Sequence, residues 1–374
     1  MNRLKQHIFQ KIGNIVKQHL KVQIKRFHFD VNPVKPGRLL IHSAVNVNVK
    51  PAALSMTNAC SSVEIKMSST SLGPTKLESM DLGLKAHLNV GSNHNEFTVE
   101  VPESAKLQQE LHHHLWVDIA IPHHYSVQLA GSGNQSIVIS RLECDCLDIN
   151  MEDGSCELHS VKALNTNIKG KTADIKISKP FTGNLTAQVT DGNIVAEKLQ
   201  GQSFSLTSTV GDVDVSSLYA FNSSIECGCG DVTIGNCHGS VSACIAAGNL
   251  NIKSVDGSLT AKIERGNLNI HLTNHTEVSL VTTDGSANIS IQDSTPTEII
   301  AQTENFDVDD SIGLKIKSRD TTTSTVEALL GVEDPTHTLT KSIAVKADSV
   351  SVDLMDWVTA QQLQFSKDLE DLKS

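Results

Sequence analysis

The stretch Gly211-Asp212-Val213-Asp214-Val215 recurs along the chain with the same chemistry at each position. Its copies are Gly230-Asp231-Val232-Thr233-Ile234, Gly248-Asn249-Leu250-Asn251-Ile252 and Gly266-Asn267-Leu268-Asn269-Ile270, and a shorter form, Gly192-Asn193-Ile194, comes before them. The glycines follow one another every 18 or 19 residues. A fixed period of this length indicates a repeat architecture, in which each repeat is one structural unit.

Each repeat also contains a second short strand, predicted seven to three residues before the next glycine. Its apolar residues alternate, as in Leu185, Ala187 and Val189, in Val241, Ala243 and Ile245, and in Leu259, Ala261 and Ile263. A strand with one apolar face cannot bury that face alone, so successive repeats must stack and align their aliphatic residues in columns. Glycine permits a sharp corner between the strands, and the Asn or Asp after it is expected to cap that corner.

The frame extends in both directions from these glycines. Counting back from Gly192 in steps of 19 residues places Ala173, Gly154 and Gln135 at the glycine position of earlier repeats. Counting forward from Gly285 gives one more repeat, with Phe306 and Val308 at its aliphatic-column positions. An antiparallel meander would alternate equally well, but about twenty strands in one open sheet would expose an apolar face and two long edges. We therefore predict an all-β fold dominated by a parallel, right-handed β-solenoid of about ten coils, each 18–19 residues long.

Four segments follow from this pattern. They are 1–29, a basic amphipathic segment; 30–130, an irregular β-rich segment; 131–325, the solenoid repeats; and 326–374, a C-terminal strand and capping helix. Val350 and Val352 predict the strand, and the apolar face running from Leu354 to Leu372 predicts the helix. The fold prediction thus includes short helices at both termini.

Residues 1–29 are basic in a chain that is acidic elsewhere. Seven cations and no acid precede Asp30, and aliphatic residues recur there at three- and four-residue steps. This pattern is typical of a mitochondrial presequence or of an interfacial membrane anchor. The alternative is a basic helix that packs on the body of the protein. We predict a mitochondrial location, otherwise a cytoplasmic one, with peripheral membrane contact through 1–29.

Composition excludes several classes of partner. The net charge is −11, and the aromatics comprise only 9 Phe, 2 Tyr and 2 Trp, so both the electrostatic attraction and the stacking platform for nucleic acid are lacking. No apolar run approaches the roughly 20 residues of a transmembrane helix. Eight cysteines in 374 residues are too sparse for a disulfide-stapled secreted protein. We predict no nucleic-acid partner, no transmembrane segment and a reducing compartment.

A further pattern precedes the repeats. The run Trp116-Val117-Asp118-Ile119-Ala120-Ile121-Pro122 leads into Val127-Gln128-Leu129-Ala130-Gly131-Ser132-Gly133 and then into the glycine frames. Over roughly residues 110–310 the chain resembles the putative-adhesin β-strand-repeat family of unknown function, and within it the eukaryotic branch called family with sequence similarity 185 member A. The resemblance implies a β-helix-like fold, a mitochondrial setting for that branch, and no catalytic residues. The basic N-terminus, the long pre-repeat segment and the C-terminal helix argue against an adhesive role at a cell surface.

The cysteines suggest one candidate metal site. The pairs Cys144/Cys146 and Cys227/Cys229, with Cys237 and Cys244 nearby, would place thiols two residues apart on one face of a strand. The repeat register favours another interpretation, because Cys156, Cys227 and Cys237 fall in aliphatic columns and Cys244 alone should face outward. We predict that they are core residues.

Histidines form the second candidate. His112, His113 and His114 precede a strand and His123 and His124 follow it, and His112 and His114 would share a face as metal ligands do. No carboxylate partner is evident nearby, so a solvent-exposed patch is the favoured interpretation, and whether His112, His114, His123 and His124 bind a metal stays open.

Acidic residues give the third candidate. Asp212 and Asp231 should stack at successive corners between Asn193 and Asn249, where oxygens could bind a cation or simply cap turns. A glycosidase would need grouped carboxylates, whereas the outward charges are scattered: Lys176, Glu197, Lys253, Lys262, Glu264 and Arg265. The motifs Gly-x-Ser-x-Gly, the P-loop and His-Glu-x-x-His are absent from the sequence.

We therefore expect a non-catalytic β-solenoid scaffold that binds an unidentified protein or polymer, with no catalytic, cofactor or metal residues and no cofactor. The alternative is a β-helix enzyme acting on a polysaccharide or related polymer. A tight carboxylate pair facing a groove among the outward residues of 190–290 would favour the enzyme.

Overall fold

Twenty-three β-strands make up the secondary structure of the residues described by the computed structural model. Those residues are 22–31, 37–52, 61–69, 84–90, 95–101, 114–292, 296–308, 314–331 and 341–354, and no helix occurs among them. The chain divides into two compact units, Met1–Lys176 and Ile177–Ser374. The solenoid has about 9 turns of roughly 19 residues, which confirms the predicted parallel β-solenoid.

The strands of the first unit are β1 (Val22–Val31), β2 (Gly37–Ser43), β3 (Asn46–Pro51), β4 (Ser61–Ser69), β5 (Lys85–Val90), β6 (Asn95–Val101), β7 (Leu115–Ile121), β8 (Tyr125–Ser140), β9 (Glu143–His159) and β10 (Lys162–Ser178), whose last two residues belong to the second unit. The strands of the second unit are β11 (Phe181–Asp191), β12 (Ile194–Val210), β13 (Val213–Cys229), β14 (Val232–Ala247), β15 (Leu250–Arg265), β16 (Leu268–Asp284), β17 (Ser286–Ile291), β18 (Thr297–Gln302), β19 (Asn305–Val308), β20 (Lys315–Asp320), β21 (Thr325–Leu330), β22 (Lys341–Lys346) and β23 (Ser349–Leu354).

The regular coils of the second unit are β12 to β16, and each pairs in parallel with the next along nearly its whole length. Equivalent inward side chains lie directly beside one another. Three of these buried columns are Ile194, Val213, Val232, Leu250 and Leu268; Ala196, Val215, Ile234, Ile252 and Ile270; and Leu199, Leu218, Cys237, Val255 and Leu272. Burying an aliphatic side chain contributes about 2 kcal/mol, so these columns hold the coils together. The predicted columns are confirmed.

At the corners of the regular coils, the close stacking of the backbone requires glycine. Gly230 has a φ of 148°, and a Cβ placed on it would lie 2.3 Å from the carbonyl oxygen of Gly211 in the preceding coil. Any larger residue would collide with the backbone as well as adopt an unfavourable φ. The period seen in the sequence therefore reflects close backbone approach between coils.

The C-terminal strands of the second unit do not follow the chain order. β22 pairs in parallel with β16 on one side and β18 on the other, while β23 pairs with β17 and β19 in the same way. The coil formed by residues 341–354 is therefore inserted between two coils that precede it in sequence. The hairpin of β20 and β21 then pairs antiparallel with β18.

Because of this insertion, the repeat predicted to follow Gly285 is not the next coil of the stack. Val350 and Val352 lie beside Ala287 and Ile289, and Phe306 and Val308 lie one coil further on. The sequence period could not reveal this because the inserted corner has no glycine. Asp348 occupies that position, where its carboxylate accepts a hydrogen bond from the Gly285 N–H at 3.0 Å.

The first unit contains a similar insertion near its N-terminus. β2 pairs in parallel with β6 and β8, and β3 pairs in parallel with β7 and β8. Antiparallel strands complete this end, with β5 beside β6 and β4 between β7 and β1. Here too, a segment early in the chain fills a level between strands that come later.

Two predictions about the termini have different outcomes. Strand β1 begins at Val22, within the predicted basic segment 1–29, and residues 1–21, which carry the predicted helical pattern, lie outside the described residues. The C-terminal strand with Val350 and Val352 is confirmed as β23. Of the capping helix predicted from Leu354 to Leu372, only Leu354 is described, and it ends β23. The rest lies outside the described residues, and the four segment boundaries stay predictions.

Candidate functional site on an outer corner

One outer corner of the second unit carries an ordered row of polar and aromatic side chains. In three successive coils, an outward-facing residue directly follows the third buried column, which contains Leu218, Cys237 and Val255. These outward residues are aligned by strand pairing, so Tyr219 lies beside His238 and His238 lies beside Asp256. Asn274 continues the row in the next coil. The stacking of coils thus brings together residues that are 18 or 19 positions apart.

Contacts between these side chains fix their positions. The Lys198 Nζ lies 5.1 Å from the centroid of the Tyr219 ring, and that ring stacks on His238 with 4.6 Å between centroids and 14° between planes. His238 Nδ1 lies 2.9 Å from Asp256 Oδ2, and Asp256 Oδ1 accepts a hydrogen bond of 3.0 Å from Asn274 Nδ2. We call these five residues the ring ladder.

Phe221 follows at the same corner and is the most exposed large apolar residue described, with 76% of its surface accessible. Phe97, Phe181 and Phe204 are by contrast fully buried. Exposed aromatic side chains beside ordered polar groups are typical of binding hot spots. Because the ladder side chains already restrain one another, they would lose little additional conformational entropy when a partner binds them.

This row was missed by the sequence analysis, although a signal for it exists. The spacing from Tyr219 to His238 and on to Asp256 matches the period of the glycine corners. Reading the outward positions in the same register as the inward ones would have found the row.

The cysteine predictions are confirmed for the inward positions. Cys156 lies beside Ile137, Cys227 beside Ile245, and Cys237 between Leu218 and Val255, and all three thiols are buried. Burial raises the pKa of Cys156 and of Cys237 to about 12 and that of Cys227 to about 11. These thiols stay protonated at neutral pH and are poor nucleophiles and metal ligands.

The prediction that Cys244 alone faces outward is wrong. Cys244 is exposed beside Glu226 and Lys262, but Cys146 and Cys229 are exposed as well. Cys144 and Cys146 lie in the first residues of β9, and Cys227 and Cys229 lie in the last residues of β13. The alternation of buried and exposed residues is interrupted at both places, so Cys144 and Cys227 are buried while Cys146 and Cys229 are exposed. The two thiols of a pair therefore do not share a face. Cys60 lies outside the described residues.

The histidines are separated by a strand. His114 is exposed just before β7, while His123 and His124 are exposed after it, with their ring centroids 6.5 Å apart. A strand as long as β7 places the two groups roughly 25 Å apart, too far for one ion. His112 and His113 lie outside the described residues. Within the described residues, no group of three His, Cys, Asp or Glu side chains is positioned to hold a metal.

The stacked acids use their oxygens to join coils. Asn193 Oδ1 accepts a hydrogen bond from the Asp212 N–H, Asp212 Oδ1 from the Asp231 N–H, and Asp231 Oδ1 from the Asn249 N–H, each at 2.8 Å. We predicted caps within each corner, but each side chain instead reaches to the backbone of the next coil. These carboxylates have a structural role, so this pair does not favour an enzyme.

Outward charges elsewhere are dispersed. Lys262 lies beside Cys244, Arg265 lies beside Ala247 and Asp284, and Glu197 accepts a hydrogen bond of 2.8 Å from the Lys179 N–H. The remaining predicted charges, Lys176, Lys253 and Glu264, are also exposed.

Two shallow hollows of about 320 and 290 Å³ lie on the first unit. Arg38 donates a hydrogen bond to Gln128 in the larger one, which Asp148 also lines. Glu100 and His42 line the other. Each hollow has a single carboxylate, whereas glycoside hydrolysis by the usual route needs two carboxyl groups across one bond. Neither hollow favours the polysaccharide enzyme.

Comparison with known proteins identifies the class of protein. Residues 54–338 match the Toastrack family, DUF4097, and the chain belongs to this family. The matched range stops short of both inserted coils, 37–51 and 341–354. None of the described residues forms a helix long and apolar enough to cross a membrane.

Two solved structures are similar to the chain. One is a "putative adhesin" from Bacteroides fragilis, with 12% identity, a TM-score of 0.28, and coverage of 88% of this chain and 97% of that one. The other is a "putative cell adhesion protein" from Clostridium sporogenes, with 10% identity, a TM-score of 0.19, and coverage of 89% and 99%. At these scores the superpositions carry no argument about function.

Proposed function

We propose that the protein is a non-catalytic β-solenoid scaffold that binds a protein or polymer partner through the ring ladder and Phe221. The observation that carries this proposal is the exposed Phe221 beside a row of side chains that already restrain one another. The stacked coils supply a rigid support, and the corner supplies an aromatic anchor with polar groups of both charges around it.

Photo-crosslinking tests this proposal. A photoreactive residue at position 221 should capture one recurrent partner in cells, and Tyr219→Ala with His238→Ala should abolish the capture. Leu164 is 61% exposed on the first unit and provides the matched control position. Equal capture at positions 221 and 164, or capture that survives loss of the two rings, would contradict the proposal.

We further propose that the protein belongs to the eukaryotic branch named above and is mitochondrial, with residues 1–29 as its targeting or membrane-contact segment. The cations of this segment and the lack of acids before Asp30 support this. A chain that lacks residues 2–21 tests this, because the first described strand, β1, begins at Val22. If the truncated chain keeps the location of the full chain, the targeting role is wrong.

A further inference from the structure

The end of the second unit is attached through the inserted coil. β18 pairs with β21 and β22, and β19 pairs with β23. β22 and β23 in turn pair with β16 and β17. In the described part of the chain, β18 and β19 have no strand pairing to β16 or β17. Among the described residues, 341–354 therefore provide the strand pairing that connects 296–308 and 314–331, which we call the terminal module, to the regular coils.

The inserted coil continues the apolar columns of the regular coils. Its inward side chains are Ile343, Val345, Ala347, Val350 and Val352, which are 1 to 6% exposed. Ile343 lies beside Val278, and Val345 lies beside Leu280. These apolar contacts and the strand pairing on both sides hold the coil in place.

The covalent link to the inserted coil is longer than its span requires. Leu330 and Lys341 both lie opposite Thr297, one on each side of β18. Two strand spacings amount to about 10 Å, whereas the residues 332–340 reach roughly 30 Å when extended. The chain between Leu330 and Lys341 is thus long enough to stay connected when the strand pairing and apolar contacts of the coil are broken.

We propose that residues 341–354 form a releasable latch. When the latch leaves, the terminal module separates with it, and the uncovered edge of β16 and β17 binds an extended peptide with the same alternating apolar pattern. That edge would present unpaired backbone N–H and C=O groups together with open apolar columns, which is the arrangement used for strand addition. The proposal concerns a different surface from the ring ladder and does not depend on it.

Peptide exchange tests the binding part of this proposal. The full chain carries a protease site in place of residues 334–338, is folded, and is then cleaved. A fluorescent synthetic peptide of residues 341–354 should bind the cleaved chain at least tenfold more tightly than the uncleaved chain, because the tethered latch competes at high effective concentration. The matched control peptide with Val345→Asp and Val350→Asp should bind at least 100-fold more weakly, because each carboxylate would be buried without a partner. Equal binding of both peptides, or no exchange with the cleaved chain, would overturn the proposal.

Hydrogen exchange tests the coupling part in the uncleaved chain. Val350→Asp should remove amide protection from 296–308 together with 341–354, while β12 to β15 stay protected. Ala344→Asp is the control, since Ala344 is exposed on the same coil and its substitution should leave protection unchanged. Protection that persists in 296–308 after its loss in 341–354 would refute the latch. So would simultaneous loss of protection in β12 to β15, because the coil would then belong to one cooperative unit.

Discussion

The regular coils and the inserted coil follow the same packing rule with different chain connectivity. Between β12 and β16, residues in contact at a corner are 18 or 19 positions apart, as for Asn193 and Asp212. At the inserted coil, Gly285 and Asp348 occupy equivalent corner positions although they are 63 residues apart. Both regions place aliphatic residues in the same columns. The comparison shows that a coil needs the correct inward pattern and a corner that fits, but not the adjacent place in the sequence.

The largest effect is expected where a regular corner is blocked. Gly230→Ala should lower the free energy of unfolding by about 3 kcal/mol, since it combines an unfavourable φ with a clash against the preceding backbone. Gly133→Ala should lower it by only about 1 kcal/mol, because Gly133 has a φ of 74° but nothing within 4 Å of the added Cβ. Urea unfolding of both variants measures the difference, and equal losses would mean that the close approach of coils is unimportant.

A smaller effect is expected from truncation within one apolar column. Val215→Ala in a regular coil should lower the free energy of unfolding by about 2 kcal/mol through lost burial and an added cavity. The equivalent change in the inserted coil, Val352→Ala, should instead weaken amide protection of 341–354 and leave the main urea transition in place. Coinciding losses in both measurements for Val352→Ala would show that the two regions unfold together.

The hydrogen bonds from the Asn and Asp side chains of one corner to the next corner should contribute less to stability. Asp231→Ala removes the acceptor for the backbone and side-chain N–H groups of Asn249, which lie at 2.8 and 3.1 Å, and should destabilise the fold by about 1 kcal/mol. Asp214 is exposed on the neighbouring strand and has no such contact, so Asp214→Ala should change stability by less than about 0.5 kcal/mol. A similar loss for both substitutions would assign the effect to charge instead of hydrogen bonding.

The smallest effect on stability at neutral pH is expected from the ionisation of the thiols. At pH 8 a maleimide should label Cys146, Cys229 and Cys244 in the folded chain but spare Cys156 and Cys237, and peptide mass mapping can identify the modified sites. The buried thiols have pKa values raised to about 12 from the usual 9.0, so their stabilising effect is complete below pH 9 and is lost as the pH rises toward 12. Rapid labelling of Cys156 in the folded chain would contradict its burial.

The sequence predicts the regular coils well because each inward residue there repeats at a fixed period. Val213, Ile234 and Ile245 lie where that period places them. The period could not predict the insertion of 341–354, because strand pairing between distant segments leaves no local signal when the corner lacks glycine. It also gave the wrong side for Cys229, because alternation along a strand ends at a corner whose start the sequence does not mark.

The candidate site illustrates a similar limit. The residues of the ring ladder are individually unremarkable surface positions, and only the alignment of neighbouring coils brings the Tyr219 ring onto His238. The 19-residue period contained this alignment, but the exposure of Phe221 depends on how the chain turns the corner and could not be obtained from spacing.

The Asn corners make the solenoid extensible. Asn249 donates its side-chain N–H to Asp231 and accepts hydrogen bonds from Asn267, so an Asn at this position can serve a neighbour on either side. The 18 residues from Asn249 to Gly266 thus form a cassette whose two ends are chemically compatible. Tandem duplication of this cassette would lengthen the stack by one level without altering the residues on either side of it.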